Sequence, residues 1–148
     1  MRFICVYILY TQMKPLQIIS NIYLGNIKTA ADKEMLREYG IVAVVNASNE
    51  DEYMPRDINY LRVNLDDSDD DDITPWLDEV YEFIDENQKE GGVLIHCQVA
   101  LCRSPCFIIA YLAKKYSMSV ERAESMVRNV RPIIDPRQKF LDEIQQWL

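Results

Sequence analysis

One short stretch, His96, Cys97, Gln98, Val99, Ala100, Leu101, Cys102, Arg103 and Ser104, brings two thiols, an imidazole, a guanidinium and a hydroxyl together. It follows the apolar run Val93-Leu94-Ile95 and precedes a helix-forming run that opens at Ser104-Pro105. A turn between a buried strand and a helix start offers unpaired N–H groups and the positive end of a helix dipole, so an anion is expected there. The same field favours the thiolate of Cys97, and the thiolate is the nucleophilic form of cysteine. Arg103 adds a planar, permanently charged fork that can hold two phosphate oxygens. An arginine at a helix N-terminus opposes the dipole unless an anion is to be bound. These residue types therefore point to a phosphate ringed by Arg103 and the main-chain amides of Gln98 to Arg103, with the Cys97 sulfur beneath the phosphorus. Attack would give a phosphocysteine, which water then hydrolyses. Donors already in place meet the transition-state charge. Expulsion of the leaving oxygen needs an acid and activation of water needs a base, roles that one carboxylate can fill in turn.

The elements that must position this turn can be read on either side of it. With 148 residues, 49% hydrophobic and 27% charged, the chain has the size and balance of one globular domain. Gln17 to Leu24 reads as one or two short strands, Ile41 to Val45 as a strand covered on both faces, and Tyr60 to Leu65 as another strand. Thr29 and Asp32 have capping-box spacing and predict a helix ending at Gly40. Thr74-Pro75 predicts a helix with Trp76, Leu77, Val80, Tyr81 and Ile84 on one face. Ser119 predicts a cap for a helix burying Val120, Ala123, Val127 and Val130. Asp135-Pro136 predicts the start of the last helix, with Asp135 as its cap. The acidic run Asp66 to Asp72 is expected to be an exposed loop. Strands alternating with helices predict a single α/β domain, with a mostly parallel central sheet of about five strands flanked by helices.

Several functions are excluded. A net charge of −8 disfavours nucleic acid. A single histidine rules out a multi-histidine metal site. The four glycines form neither a dinucleotide fingerprint nor a nucleotide-triphosphate loop. Of the four cysteines, Cys97, Cys102 and Cys106 crowd together and Cys5 stands apart, which points to a reducing compartment, cytoplasmic or also nuclear. Residues 1–15 are read as an N-terminal extension or an edge strand, and no run approaches the ~18 apolar residues of a membrane span.

The order His96-Cys97-x5-Arg103-Ser104 resembles the signature of the cysteine-dependent protein tyrosine phosphatases. The flanks are similar to the small atypical dual-specificity branch of that superfamily. Ile19 to Asn26 resembles its opening strands, Tyr60 to Ser68 its general-acid segment, and Arg131 to Pro136 with Phe140 and Leu141 its closing helix entry. The likeness covers roughly residues 16–148, and it implies the phosphotyrosine-phosphatase fold. It also implies hydrolysis of phosphotyrosine and phosphoserine or phosphothreonine in proteins, kinases among them, with no metal or other cofactor. Carried over by position, Cys97 is the nucleophile, Arg103 the phosphate binder, and Ser104 the hydroxyl that helps sulfur leave. His96 orders the loop and Asp67 is the general acid, with Asp66 as the neighbouring alternative. Gln98, Val99, Ala100, Leu101 and Cys102 complete the phosphate loop.

The chain departs from that pattern at three positions. Ala100 stands where the family usually has glycine, so a positive φ there would strain the loop. Cys102 replaces a common serine, and Asp135 a common asparagine. Cys102 also resembles the second loop cysteine of the low-molecular-weight phosphatases, which implies a disulfide that could trap an oxidised Cys97. Cys106 is expected to be packing. A pseudophosphatase that binds phosphorylated partners without turnover is the alternative reading.

Overall fold

The computed structural model describes residues 9–148. Cys5 and most of the N-terminal extension or edge strand expected over residues 1–15 lie outside the described residues. Residues 9–15 hold no strand. They run to the start of the helix Ile27–Ala31, where Asn26 Nδ2 donates to Thr11 O (2.8 Å) and Thr29 Oγ1 donates to Met13 O (2.9 Å).

Five strands form one sheet: β1 (Leu16–Ile19), β2 (Ile22–Gly25), β3 (Ile41–Asn46), β4 (Asn59–Arg62) and β5 (Gly92–His96). Their order is β1-β2-β5-β3-β4. Only β1 and β2 pair antiparallel, and β2, β5, β3 and β4 run parallel. The sheet is therefore the mostly parallel one that the strand–helix alternation predicts. Strand β5 is its centre and is buried along its whole length. Gly25 and Asn46 both lie beside His96 in the register, so three strands deliver their carboxyl ends to one place. In an open parallel sheet that edge is where ligands bind.

Both faces of the sheet are covered, which explains why β3 and β5 show no polar alternation. Val93, Ile95, Ala43 and Val45 face α3 (Thr74–Gln88), α4 (Arg103–Lys115), α5 (Val120–Val130) and α6 (Gln138–Trp147). Leu94 and Val44 face the other way, onto Ala30, Leu36 and Ile58, beneath α1 (Ile27–Ala31) and α2 (Lys33–Glu38). Helix α4 is buried from Arg103 to Ala113, as its nearly all-apolar surface demands.

Two helix starts differ from the sequence reading. The capping box belongs to Asn26 and Thr29, which open α1, and Asp32 then caps a separate α2 through Met35 N. One helix from Thr29 to Gly40 is thus two. Asp135 does not cap the last helix: α6 begins at Gln138, its N-cap is Arg137, and Asp135 is exposed. Ser119 caps α5 through Arg122 N as expected. The acidic run is a loop at the surface, with Asp66, Asp67, Asp69, Asp70 and Asp72 exposed. No helix among the described residues is long and apolar enough to cross a membrane.

Candidate active site

Strand β5 ends at His96, α4 begins at Arg103, and residues 97–102 turn between them. Nearly every main-chain carbonyl of this turn is taken up from outside it. Gln98 O accepts from Ile27 N (3.1 Å), Leu101 O from Asp135 N (2.7 Å) and Cys102 O from Cys106 N (2.9 Å). Val99 O accepts from one Arg131 terminal nitrogen (2.9 Å) and Ala100 O from Arg131 Nε (2.8 Å). Cys97 O faces His96 Nδ1 at 3.2 Å. In a planar trans peptide the N–H points opposite to the C=O before it. Carbonyls drawn outward at 97–102 therefore turn the amides of 98–103 inward, toward a common centre. Ala100 adopts φ +58°, the left-handed conformation that the glycine-for-alanine departure raised, at a cost of roughly 1–2 kcal/mol for an L-residue.

The side chains at the two ends of the turn are buried with it. Cys97 is 2% exposed, and its Sγ lies 3.1 Å from Ser104 Oγ. Arg103 is buried at the first position of α4, where one terminal nitrogen donates to Leu65 O (3.1 Å). Its Nε is buried with no hydrogen-bond partner among the described residues. A buried charged donor left unpaired is costly, and a ring of inward amides beside it makes an oxyanion the fitting partner. His96 is fully buried, with Nε2 against the Glu52 carboxylate at 3.1 Å. Gln98 Nε2 donates to Glu50 Oε1 (3.1 Å).

Arg131 carries no local signal beyond its place in a family-like stretch, yet it braces two consecutive loop carbonyls. Burial lowers its proton affinity, and the charge of Cys97 acts in the opposite direction, which places this cation within reach of the sulfur's field. Glu52 was likewise invisible, because nothing local to it marks a partner of His96.

The acid loop is held by the first turn of α6. Arg137 Nε donates to Asp67 Oδ1 (2.6 Å), a terminal nitrogen donates to Asp67 O (2.7 Å), and the other approaches Asp69 at 3.2 Å. Lys139 pairs with Asp72 and with Glu143, whose Oε1 accepts from Ile73 N (3.0 Å). Asp66 turns to Asn49 instead. Cys102 and Cys106 are buried, free thiols, as is Cys97. Cys102 Sγ accepts from Arg137 N (3.3 Å), and burial pushes the Cys106 thiol up, with Cys102 adding to the effect. A cleft of about 850 Å³ opens beside the loop between Leu101, Cys102, Asp67, Arg137 and Glu143. It flanks the turn over residues 97–102.

A thiol at the end of the central strand, under inward-facing amides and a buried arginine on the next helix, defines the class of cysteine-dependent tyrosine phosphatases. Residues 22–148 match the family model of the dual specificity phosphatase catalytic domain, and the chain belongs to that family. It is 37% identical over 137 residues to human dual specificity protein phosphatase 16, an alignment covering 90% of this chain and 20% of the relative. It is 34% identical over 133 residues to dual specificity protein phosphatase 1 of Arabidopsis thaliana, covering 88% of this chain and 67% of that one. The chain thus spans a fifth of the length of one relative and about two thirds of the other. Among solved structures, a mouse putative dual specificity phosphatase complexed with zinc tungstate superposes with a TM-score of 0.84 at 26% identity, covering 90% of this chain and 86% of that one.

Proposed function

We propose that this chain is a protein phosphatase that removes phosphate from phosphotyrosine and from phosphoserine or phosphothreonine through a phosphocysteine on Cys97. The observation that carries the reading is the buried, unpartnered Arg103 Nε beside amides turned toward one centre. In the first step Cys97 Sγ bonds to phosphorus, the bond from phosphorus to the substrate oxygen breaks, and Asp67 gives its proton to that oxygen. In the second, water attacks phosphorus, Asp67 takes a proton from it, and the S–P bond breaks. Ser104 donates to the departing sulfur from 3.1 Å. The inward amides and Arg103 hold the equatorial oxygens in both steps. Asp67 must exchange Arg137 for the leaving oxygen, an exchange that costs little, because exposed ion pairs contribute about 0–1 kcal/mol.

Turnover of p-nitrophenyl phosphate by the wild type, its loss in Cys97→Ser, and a phosphocysteine trapped by acid quench are the expected results. Ala100, held at φ +58° in the turn, favours a second reading, a module that binds phosphorylated partners without turnover. Vanadate binding without hydrolysis at any pH would select it. Phosphopeptides bearing each of the three phosphorylated residues test the breadth of specificity.

A further inference from the structure

The structure assigns Glu52 a role as a positioning residue for Cys97, acting through His96. Both nitrogens of the buried His96 ring face groups that only accept: Nδ1 lies 3.2 Å from Cys97 O, and Nε2 lies 3.1 and 3.2 Å from the two Glu52 oxygens. A neutral imidazole has one N–H and can satisfy one of them. Satisfying both takes two protons, and imidazole is a stronger base than a carboxylate. The arrangement therefore calls for a charged ring with Glu52 as its counterion. Without that counterion a fully buried cation would stand unpaired, which is strongly unfavourable.

The consequence reaches the sulfur by two routes. Nδ1–H holds the Cys97 carbonyl away from the centre, and that fixes the next amide, Gln98 N–H, toward it. The positive end of the pair also lies one residue from Cys97, where it favours the thiolate.

Glu52 is itself fixed in place. Asn46, paired with His96 in the register, accepts from Ser48 N (2.9 Å) and Ser48 Oγ (2.6 Å). Its Nδ2 donates to Glu50 O (2.9 Å) and Tyr60 Oη (2.8 Å). The segment after β3 is thereby folded back onto the phosphate loop, with Glu50 on Gln98 and Glu52 on His96. The other titratable groups around the pair are Lys33 of α2 and Tyr60 of β4, both of which feel the Glu52 charge. The Lys33 ammonium is spent on Ala30 O. Asp51 points to Arg62.

This role rests on Cys97 being the nucleophile, and the tests separate the two. The chain has a single histidine, so its ring nitrogens are unambiguous in an ¹⁵N-labelled sample of the unmodified protein. Two N–H signals from one ring near neutral pH are expected; a ring with one N–H and one bare nitrogen would overturn the assignment. Glu52→Gln keeps an acceptor for Nε2 and removes the charge. The pH profile of Cys97 alkylation by iodoacetamide, read by peptide mass, should then move to higher pH. kcat should fall about 10- to 100-fold, the worth of one charge-assisted hydrogen bond, with KM within about twofold. In a His96→Asn background the same substitution should move neither quantity further. An unmoved alkylation profile, or a shift that persists without His96, would refute it. Alkylation and resonance readouts stand even where Cys97→Ser leaves turnover intact, an outcome that would sink the phosphatase reading alone.

Discussion

Replacing Arg131 with methionine keeps the length of the side chain and deletes both of its hydrogen bonds to the loop, at 2.8 and 2.9 Å. Each is a bond from a charged donor, worth about 1.5–3 kcal/mol when buried. Arg131 is half-buried, so each bond contributes less than that, about 1–2 kcal/mol, or about 2–4 kcal/mol for the two. The carbonyls it holds belong to Val99 and Ala100, which are the peptides that aim the amides of Ala100 and Leu101 inward. Ala100 sits at φ +58° and relaxes to a right-handed or extended conformation once it is no longer braced. The loss therefore falls on oxyanion binding. kcat/KM for p-nitrophenyl phosphate should drop by about 30- to 1,000-fold, at 1.4 kcal/mol per tenfold, and the inhibition constant of vanadate should rise in parallel. Arg131→Lys should recover little, because one ammonium cannot reproduce two fixed parallel N–H groups. Far-UV circular dichroism controls for the fold. If kcat/KM and the vanadate constant both stay within about threefold of wild type in a folded Arg131→Met protein, the argument from outward carbonyls to inward amides is wrong.

Three further outcomes follow from the same geometry. Ser104→Ala removes the hydroxyl 3.1 Å from the sulfur, so breakdown of phosphocysteine should become rate-limiting. Rapid-quench assays would then show a burst of nitrophenol equal to the enzyme present, and the absence of a burst would count against that role. Asp67→Asn should cost two orders of magnitude or more on phosphotyrosine peptides and much less on p-nitrophenyl phosphate, whose leaving group needs little protonation; equal losses would move the acid elsewhere. Lys115 and the Tyr111 hydroxyl hold the Asp85 carboxyl below its ordinary value, so its folded form binds protons less readily than the unfolded chain. That stability is present above about pH 4 and is lost as pH falls through the folded value. Thermal melts should show a gentler acid-side decline in Asp85→Asn than in wild type.

What could be read from the sequence follows how local each signal is. Cys97, Arg103 and the helix start after them lie within eight positions, so a strand end, a turn and a helix N-terminus place them together from sequence alone. Ser119 and Thr74-Pro75 likewise carry their instructions within one turn of helix. Arg131 and Glu52 escape a sequence reading because their partners are two carbonyls and a buried ring more than thirty positions away, and an exposed arginine or glutamate looks the same in a sequence. The capping box was misplaced because Thr29 fits two frames, as the first residue of one box and as the fourth of the box that begins at Asn26. Only packing of α1 against the sheet decides between them. Asp135 before proline reads as a cap, yet the chain from Asp135 to Arg137 runs along the turn, with Asp135 N on Leu101 O and Arg137 N on Cys102 Sγ, and the helix opens at Gln138.

The order of braces along the chain bears on how the protein comes into being. Cys97, Arg103 and Ser104 emerge from a ribosome well ahead of Arg131, Asp135, Arg137 and Lys139, which hold the carbonyls of the turn and the acidic run. A nascent chain that has reached α5 already carries the thiol but lacks the clamp that shapes an anion cradle. Translation therefore delivers the thiol before the downstream segment that braces its turn can dock.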